Sequence, residues 1–166
     1  MPLDTITTCS PLRCAVLRVD GSFRTVAREA AASGTVLFEL EGRVVDRPTR
    51  YTVQIGVHQH VEAPEGASLL DHLDRFPWRF LDHSCAPNAR IEGRRVIAVR
   101  AIESGDAVTF DYCTTEFEMA TPFDCACGAP ACRGRVSGFR GLEAAQRAAL
   151  DGQVAEHVLA LARATR

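Results

Sequence analysis

Lysine is absent from this chain: all nineteen of its basic residues are arginine, so it offers no amine side chain of its own for modification. Apolar runs are short, none approaching the ~20 residues that a bilayer crossing needs, and residues 1–13 lack the basic start and apolar stretch of a secretory leader. No membrane partner is expected, and a cytoplasmic location is. Blocks of like charge are missing too, and a formal net charge of -2 leaves no footprint for direct nucleic-acid binding. Disordered, collagen-like and coiled-coil chains are excluded, because 46% of residues are hydrophobic and 24% charged, close to the globular average. The 166 residues suit one domain with a short appendage, since ~100–200 residues per domain is usual.

The apolar segments read mainly as strands. Cys14 to Val19 is β-branched and apolar and is closed by a turn at Gly21-Ser22. Thr35 to Leu40 follows Ser33-Gly34, and Tyr51 to Val57 alternates apolar and polar residues. Val96 to Val99 and Ala107 to Tyr112 are further short strands around a turn at Glu103 to Asp106. Alanine between Thr25 and Ala32 also suits a helix. His58 and His60 alternate with Val57, Gln59 and Val61, which predicts an exposed strand face in preference to a metal pair. Beyond Gly141 the composition turns helical over Leu142 to Leu150 and Val154 to Ala164. Leu150, Val154, Val158 and Leu161 form a stripe expected to pack on the domain, although a second copy would also suit it.

There are seven cysteines, and in a chain without a secretory leader clustered thiols favour metal binding over disulfides. Cys125, Cys127 and Cys132 fall within eight residues around Gly128 and Pro130, a turn-forming pair. Three thiolates call for a fourth ligand in a closed tetrahedral zinc site, and Cys85, in a Pro-punctuated loop, is the best candidate. A site with four sulfurs is structural, because no position remains for a substrate.

Three blocks carry a resemblance to a known family: Arg79 to Asn88 (RFLDHSCAPN), Gly105 to Tyr112 (GDAVTFDY) and the Cys-x-Cys-Gly-x3-Cys-Arg-Gly run. In this order they resemble the SET-domain protein lysine methyltransferases, and Tyr51 to Ile55 is similar to the family's tyrosine-led strand. The resemblance implies a mainly β fold of several small sheets with a knot-like crossing, a zinc-bound C-terminal segment and C-terminal helices. Three stretches are expected: a SET domain over 1–116, a zinc segment over 117–138 and a helical tail over 139–166. S-adenosylmethionine would lie on one face, contacted by Gly21, Ser22, Phe23, Arg79, Asp82 and His83, with Arg133 and Val136 closing over the adenine. Tyr112 would be the catalytic tyrosine, and Tyr51 and Phe110 would line the lysine channel. The implied partner is a lysine-bearing protein or peptide, histone-like or ribosomal, and oligomeric state is left open.

Chemistry gives these residue types a purpose. A lysine amine has a pKa of ~10.4 and is almost wholly charged at pH 7, yet only the neutral amine displaces a methyl group from a sulfonium. A dry aromatic channel favours the neutral form. Tyr112 is then an orienting group more than a base, since a phenol of pKa near ~10 suits hydrogen bonding. In the family, phenylalanine at the position of Phe110 goes with di- or trimethylation.

The chain departs from the family pattern at three places. The usual Gly-x-Gly turn reads Gly21-Ser22-Phe23-Arg24, without the second glycine. Asp82 stands for asparagine, keeping an acceptor for an ammonium group but losing a donor. Cys113 to Glu116 replaces a glycine after the tyrosine and alters the wall near the channel mouth, which Phe117 and Phe123 would shape. A catalytically degenerate, zinc-containing peptide-binding module is the alternative reading.

Overall fold

The computed structural model describes residues 12–165, so Cys9 and most of the segment read for a leader lie outside it. The chain runs β1 (Cys14–Val19), β2 (Ser22–Ala27), β3 (Val36–Glu39), β4 (Arg43–Val45), β5 (Val53–Gly56) and β6 (Gln59–Glu62) before the first helix, α1 (Leu69–Arg75). The short strands β7 (Asp82–His83), β8 (Ala89–Glu92), β9 (Arg95–Ala98) and β10 (Thr109–Phe110) follow. The chain then passes through β11 (Phe123–Asp124) and β12 (Arg135–Val136) to helices α2 (Ala144–Ala149) and α3 (Glu156–Ala164). These strands form two three-stranded sheets, ordered β3-β9-β8 and β4-β6-β5, and three two-stranded ones.

The β1–β2 hairpin turns at Asp20 and Gly21, with φ of 49° and 82°, the paired left-handed geometry that an Asp-Gly loop adopts between twisted strands. Ladder pairing is unbroken from Val19↔Ser22 to Cys14↔Ala27. It carries the Thr25 to Ala27 segment as strand, and the chain beyond it continues in bends and a bridge, so the helical reading of Thr25 to Ala32 is corrected. Cross-strand contact outweighs alanine's local preference there. The two histidines are corrected as well: Val57 and His58 form the turn between β5 and β6, and His60 lies buried beyond it. They share no exposed face.

Cys14, Leu40, Val61, Phe76, Trp78, Val96, Ile102 and Val108 form part of a main core between the sheets. Cys113, Phe117, Val136, Phe139, Leu142, Leu150 and Val158 form a second cluster, so the stripe on the C-terminal helices packs against its own domain. Tyr112 touches both clusters. The segment that carries it is crossed by β7, which pairs in parallel with β10 through Thr109↔Asp82 and Phe110↔His83. Asn88 locks that crossing, donating to the Ala107 carbonyl at 2.8 Å and accepting from the Thr109 N–H at 2.9 Å.

Candidate active site

A cavity of about 690 Å³ opens beside the crossing, within the range of small-molecule sites. Its walls bring together Phe23, Tyr51, Arg79, Asp82, His83, Phe110 and Tyr112, drawn from segments far apart in the chain, and Glu116 and Phe123 complete the side beyond Tyr112. Gly21 and Ser22 are not among the lining residues. Gly21 sits at the hairpin tip, where an added Cβ would meet open space. Where a second glycine was expected, Phe23 leans on Phe80 with ring centroids 5.5 Å apart.

Tyr112 lies in a short 3-10 turn, Tyr112–Thr114, capped by the Asp111 carboxylate accepting from the Cys113 N–H at 3.0 Å. Its hydroxyl donates to the Leu81 carbonyl at 2.5 Å, which leaves the oxygen's lone pairs for a donor in the cleft. Phe110 packs on its ring at 4.7 Å and Phe123 at 5.9 Å. Burial, with the charges of Asp82 and Glu116 nearby, pushes the phenol above its usual range, so it stays protonated. Tyr51 stands at the rim, 56% exposed, with the Arg79 guanidinium 4.9 Å from its ring centroid. That cation–π contact holds the ring upright at the entrance.

His83 is spent inside the protein. Its Nδ1 accepts the Tyr112 N–H at 3.2 Å, so the ring proton is on Nε2, which faces the Cys85 sulfur at 3.3 Å. Burial brings its pKa down to about 4, keeping the imidazole neutral. Asp82 turns its carboxylate toward Arg24 at 3.2 Å. Burial raises its pKa against the pull of that arginine.

Cys85, Cys125, Cys127 and Cys132 converge, with all four sulfurs within 4.8 Å of one another. A tetrahedral zinc with bonds of ~2.3 Å sets its sulfurs about 3.8 Å apart, so the donor set fits after a small contraction. Two turns shape the knuckle: the Cys125 N–H donates to the Gly134 carbonyl at 2.7 Å, and the Cys132 N–H to the Ala129 carbonyl at 2.9 Å. Backbone N–H groups of Cys85 and Ala129 pull the Cys127 thiol down to about 6, favouring thiolate. In contrast, burial pushes Cys14 up to about 12, an inert core thiol.

Arg133 and Val136 line no part of the cleft. One guanidinium nitrogen of Arg133 sits 2.6 Å from both oxygens of Asp111, whose side chain is 1% exposed, and this pair ties the knuckle to the Tyr112 turn. Val136 is fully buried opposite Phe123 in the β11–β12 pair.

The sequence placed Glu116 only in an altered wall near the channel mouth and gave its carboxyl no role. The residue is 8% exposed, its Oε1 accepts the Gln54 N–H at 2.7 Å, and it lines the cavity with Tyr112. Burial raises its pKa to about 7, with the Gln54 bond acting in the opposite sense. Nothing local marked it out, because Glu116 is one of three acids, with Asp111 and Glu118, between Phe110 and Met119.

Comparison with known proteins agrees with this geometry. The family model described as SET domain matches residues 22–113. A histone-lysine N-methyltransferase, H3 lysine-36 specific, of Yarrowia lipolytica is 32% identical over 136 residues, 73% of this chain and 18% of that protein. Methyltransferase flvH of Aspergillus flavus is 36% identical over 69 residues, 39% of each chain. This chain therefore spans well under half of either relative. A crystal structure of KRYPTONITE in complex with mCHG DNA and SAH matches 76% of this chain and 29% of that one, with a TM-score of 0.54 and 21% identity.

Proposed function

The chain belongs to the SET-domain family, and on that premise we propose that it is an S-adenosylmethionine-dependent protein lysine N-methyltransferase acting on an extended segment of another protein. The observation that carries this reading is the Tyr112 hydroxyl, anchored on Leu81 within an aromatic wall, in the same cavity as the acidic Asp82. The cleft fits the cofactor's chemistry, with a carboxylate for its ammonium and aromatic surface for its adenine. Asp82, Phe23, Phe80 and Arg79 are the side chains that would hold it. When bound, it supplies a methyl group on a sulfonium.

The chain's own residues do the rest. Phe110, Phe123 and Tyr112 exclude water around the incoming amine and so disfavour its charged form. Tyr112 orients the nitrogen through a phenol that stays protonated at every physiological pH. Phe110 has no hydroxyl to crowd a methylated amine, so di- or trimethylation is the proposed outcome. Mass spectrometry of the product tests it: Phe110→Tyr should restrict the product to monomethyllysine, and a wild-type chain that stops there would refute it. The zinc knuckle, through Arg133 and Asp111, holds the turn that carries Tyr112.

The substrate has to come from another molecule, because the chain has no lysine. We propose a basic, lysine-rich protein, histone-like or ribosomal, a reading supported by the Yarrowia relative's specificity. Phe23, seated on Phe80 in the cleft wall, favours one alternative, a peptide-binding module without turnover. Calorimetry with S-adenosylmethionine, with S-adenosylhomocysteine as comparator, separates the two. Micromolar binding, worth about 8 kcal/mol, supports the enzyme, and no binding at millimolar cofactor favours the module.

A further inference from the structure

Beyond the aromatic wall the cavity is lined by a carboxylate with no ion-pair partner among the described residues. Glu116 Oε1 is engaged by the Gln54 N–H. Among the described residues its second oxygen has no hydrogen-bond partner, and the residue lines the cleft. Its charge reaches the Tyr112 phenol. Around it, β5 presents neutral Gln54, its own segment presents Tyr112, and His157 of α3 engages the neighbouring Thr115 carbonyl at 2.8 Å instead of the carboxylate.

The position of Glu116 is also fixed. Three consecutive carbonyls around it are taken by the C-terminal part of the chain: Thr114 by the Ala155 N–H at 2.8 Å, Thr115 by His157, and Glu116 by the Phe139 N–H at 2.9 Å. The Phe117 N–H, just beyond, donates to the Gln54 side chain at 2.9 Å. A buried acid held this firmly with one oxygen free is poised to meet an incoming cation.

We propose that Glu116 is a catalytic residue that accepts a proton from the substrate's lysine ammonium within the cleft. The inference rests on the methyltransferase reading above. The N–H bond of the ammonium breaks, its proton passes to the free oxygen, and a neutral amine and a carboxylic acid remain. The amine's lone pair then forms the N–C bond to the methyl group of the sulfonium donor as the C–S bond breaks, giving a methylammonium and a neutral thioether. Glu116 returns its proton to water once the product has left. A lysine at pH 7 is neutral in only about one molecule in 2,500. Entry into an apolar site lowers the ammonium's pKa while the acid's is raised, so the two converge and transfer becomes feasible. Burial has already brought Glu116 to about 7, the range that suits a general base at neutral pH.

The test uses the full, zinc-replete chain carrying ¹³C at its glutamate carboxyls. The Glu116 resonance, identified by its loss in Glu116→Gln, should titrate near pH 7 and move to lower pH with n-butylammonium chloride, a probe for the end of a lysine. With a core-histone mixture as acceptor, Glu116→Gln should lower kcat/KM about 100-fold at pH 7. The deficit should shrink toward tenfold near pH 10, where the amine ionises without help, a rescue that a purely structural defect would not show. A Glu116 resonance that titrates with ordinary glutamates near ~4.3 and ignores butylammonium overturns the proposal, as does a variant with the wild-type pH profile. A butylammonium response in a chain that methylates no histone lysine at any pH counts against the methyltransferase reading and removes the proton-transfer role with it.

Discussion

Glu116→Gln should make the protein more stable, and by an amount that depends on pH. A carboxyl whose pKa rises from 4.5 in the open chain to about 7 in the fold is bound more tightly by its proton when folded. Its contribution is favourable below the unfolded value and is lost as pH climbs through about 7. At pH 8 the wild-type chain therefore carries an ionisation cost of about 3 kcal/mol, and at pH 5 under about 1 kcal/mol. Glutamine keeps the oxygen that accepts the Gln54 N–H and removes the charge. Urea unfolding of both chains at the two pH values reads the difference. With a slope of ~1–3 kcal/mol/M, the midpoint should rise by at least about 1 M at pH 8 and far less at pH 5. An equal gain at both pH values, or a loss at pH 8, would refute the claim that a buried ionised carboxylate is the source.

Cys127→Ser should reduce bound zinc from one per chain to a substoichiometric amount by elemental analysis and lower the melting temperature, since four sulfurs are needed to close the shell. Arg133→Ala leaves the Asp111 charge buried without its cation and should cost about 3–5 kcal/mol in denaturant unfolding. Gly138→Ala puts a Cβ 2.7 Å from the Phe117 carbonyl oxygen at φ +98°, directly against the strut that holds Glu116. Gly21→Ala meets open space at φ +82°. The first should lose more than the 1–2 kcal/mol of left-handed strain expected of the second, and paired melting curves check the order.

The sequence made the strands legible wherever an apolar run met a turn signal, as at Cys14 to Val19 with Asp20-Gly21 after it. Thr25 to Ala27 was ambiguous because its partner strand, not its composition, decides its state. Helix α1 was overlooked, yet the capping box of Ser68 with Asp71 was there to be read. The spacing of the cysteine trio alone pointed to a donor set compatible with zinc, and the four sulfurs do converge. The fourth thiol lies forty positions upstream of Cys125, and its Pro-punctuated loop pointed to it. Arg133 and Val136 were assigned to the cofactor from the family likeness. In the structure they meet Asp111 and Phe123, contacts that come from packing no local pattern encodes.

The position of Cys85, two residues past His83 of the crossing, has a consequence for how the chain assembles. Joining it to the knuckle clips shut a loop of forty residues that contains the whole of β8, β9 and β10. By loop-closure entropy, a covalent clip of that span is worth about 4 kcal/mol against the unfolded ensemble. In the folded chain Cys85 reaches the other three sulfurs from just past the β7–β10 pairing, so a metal held there would act as a latch on the threading. With such a latch closed, opening the crossing would have to break metal–sulfur bonds, and a metal so held should exchange more slowly than loop motion.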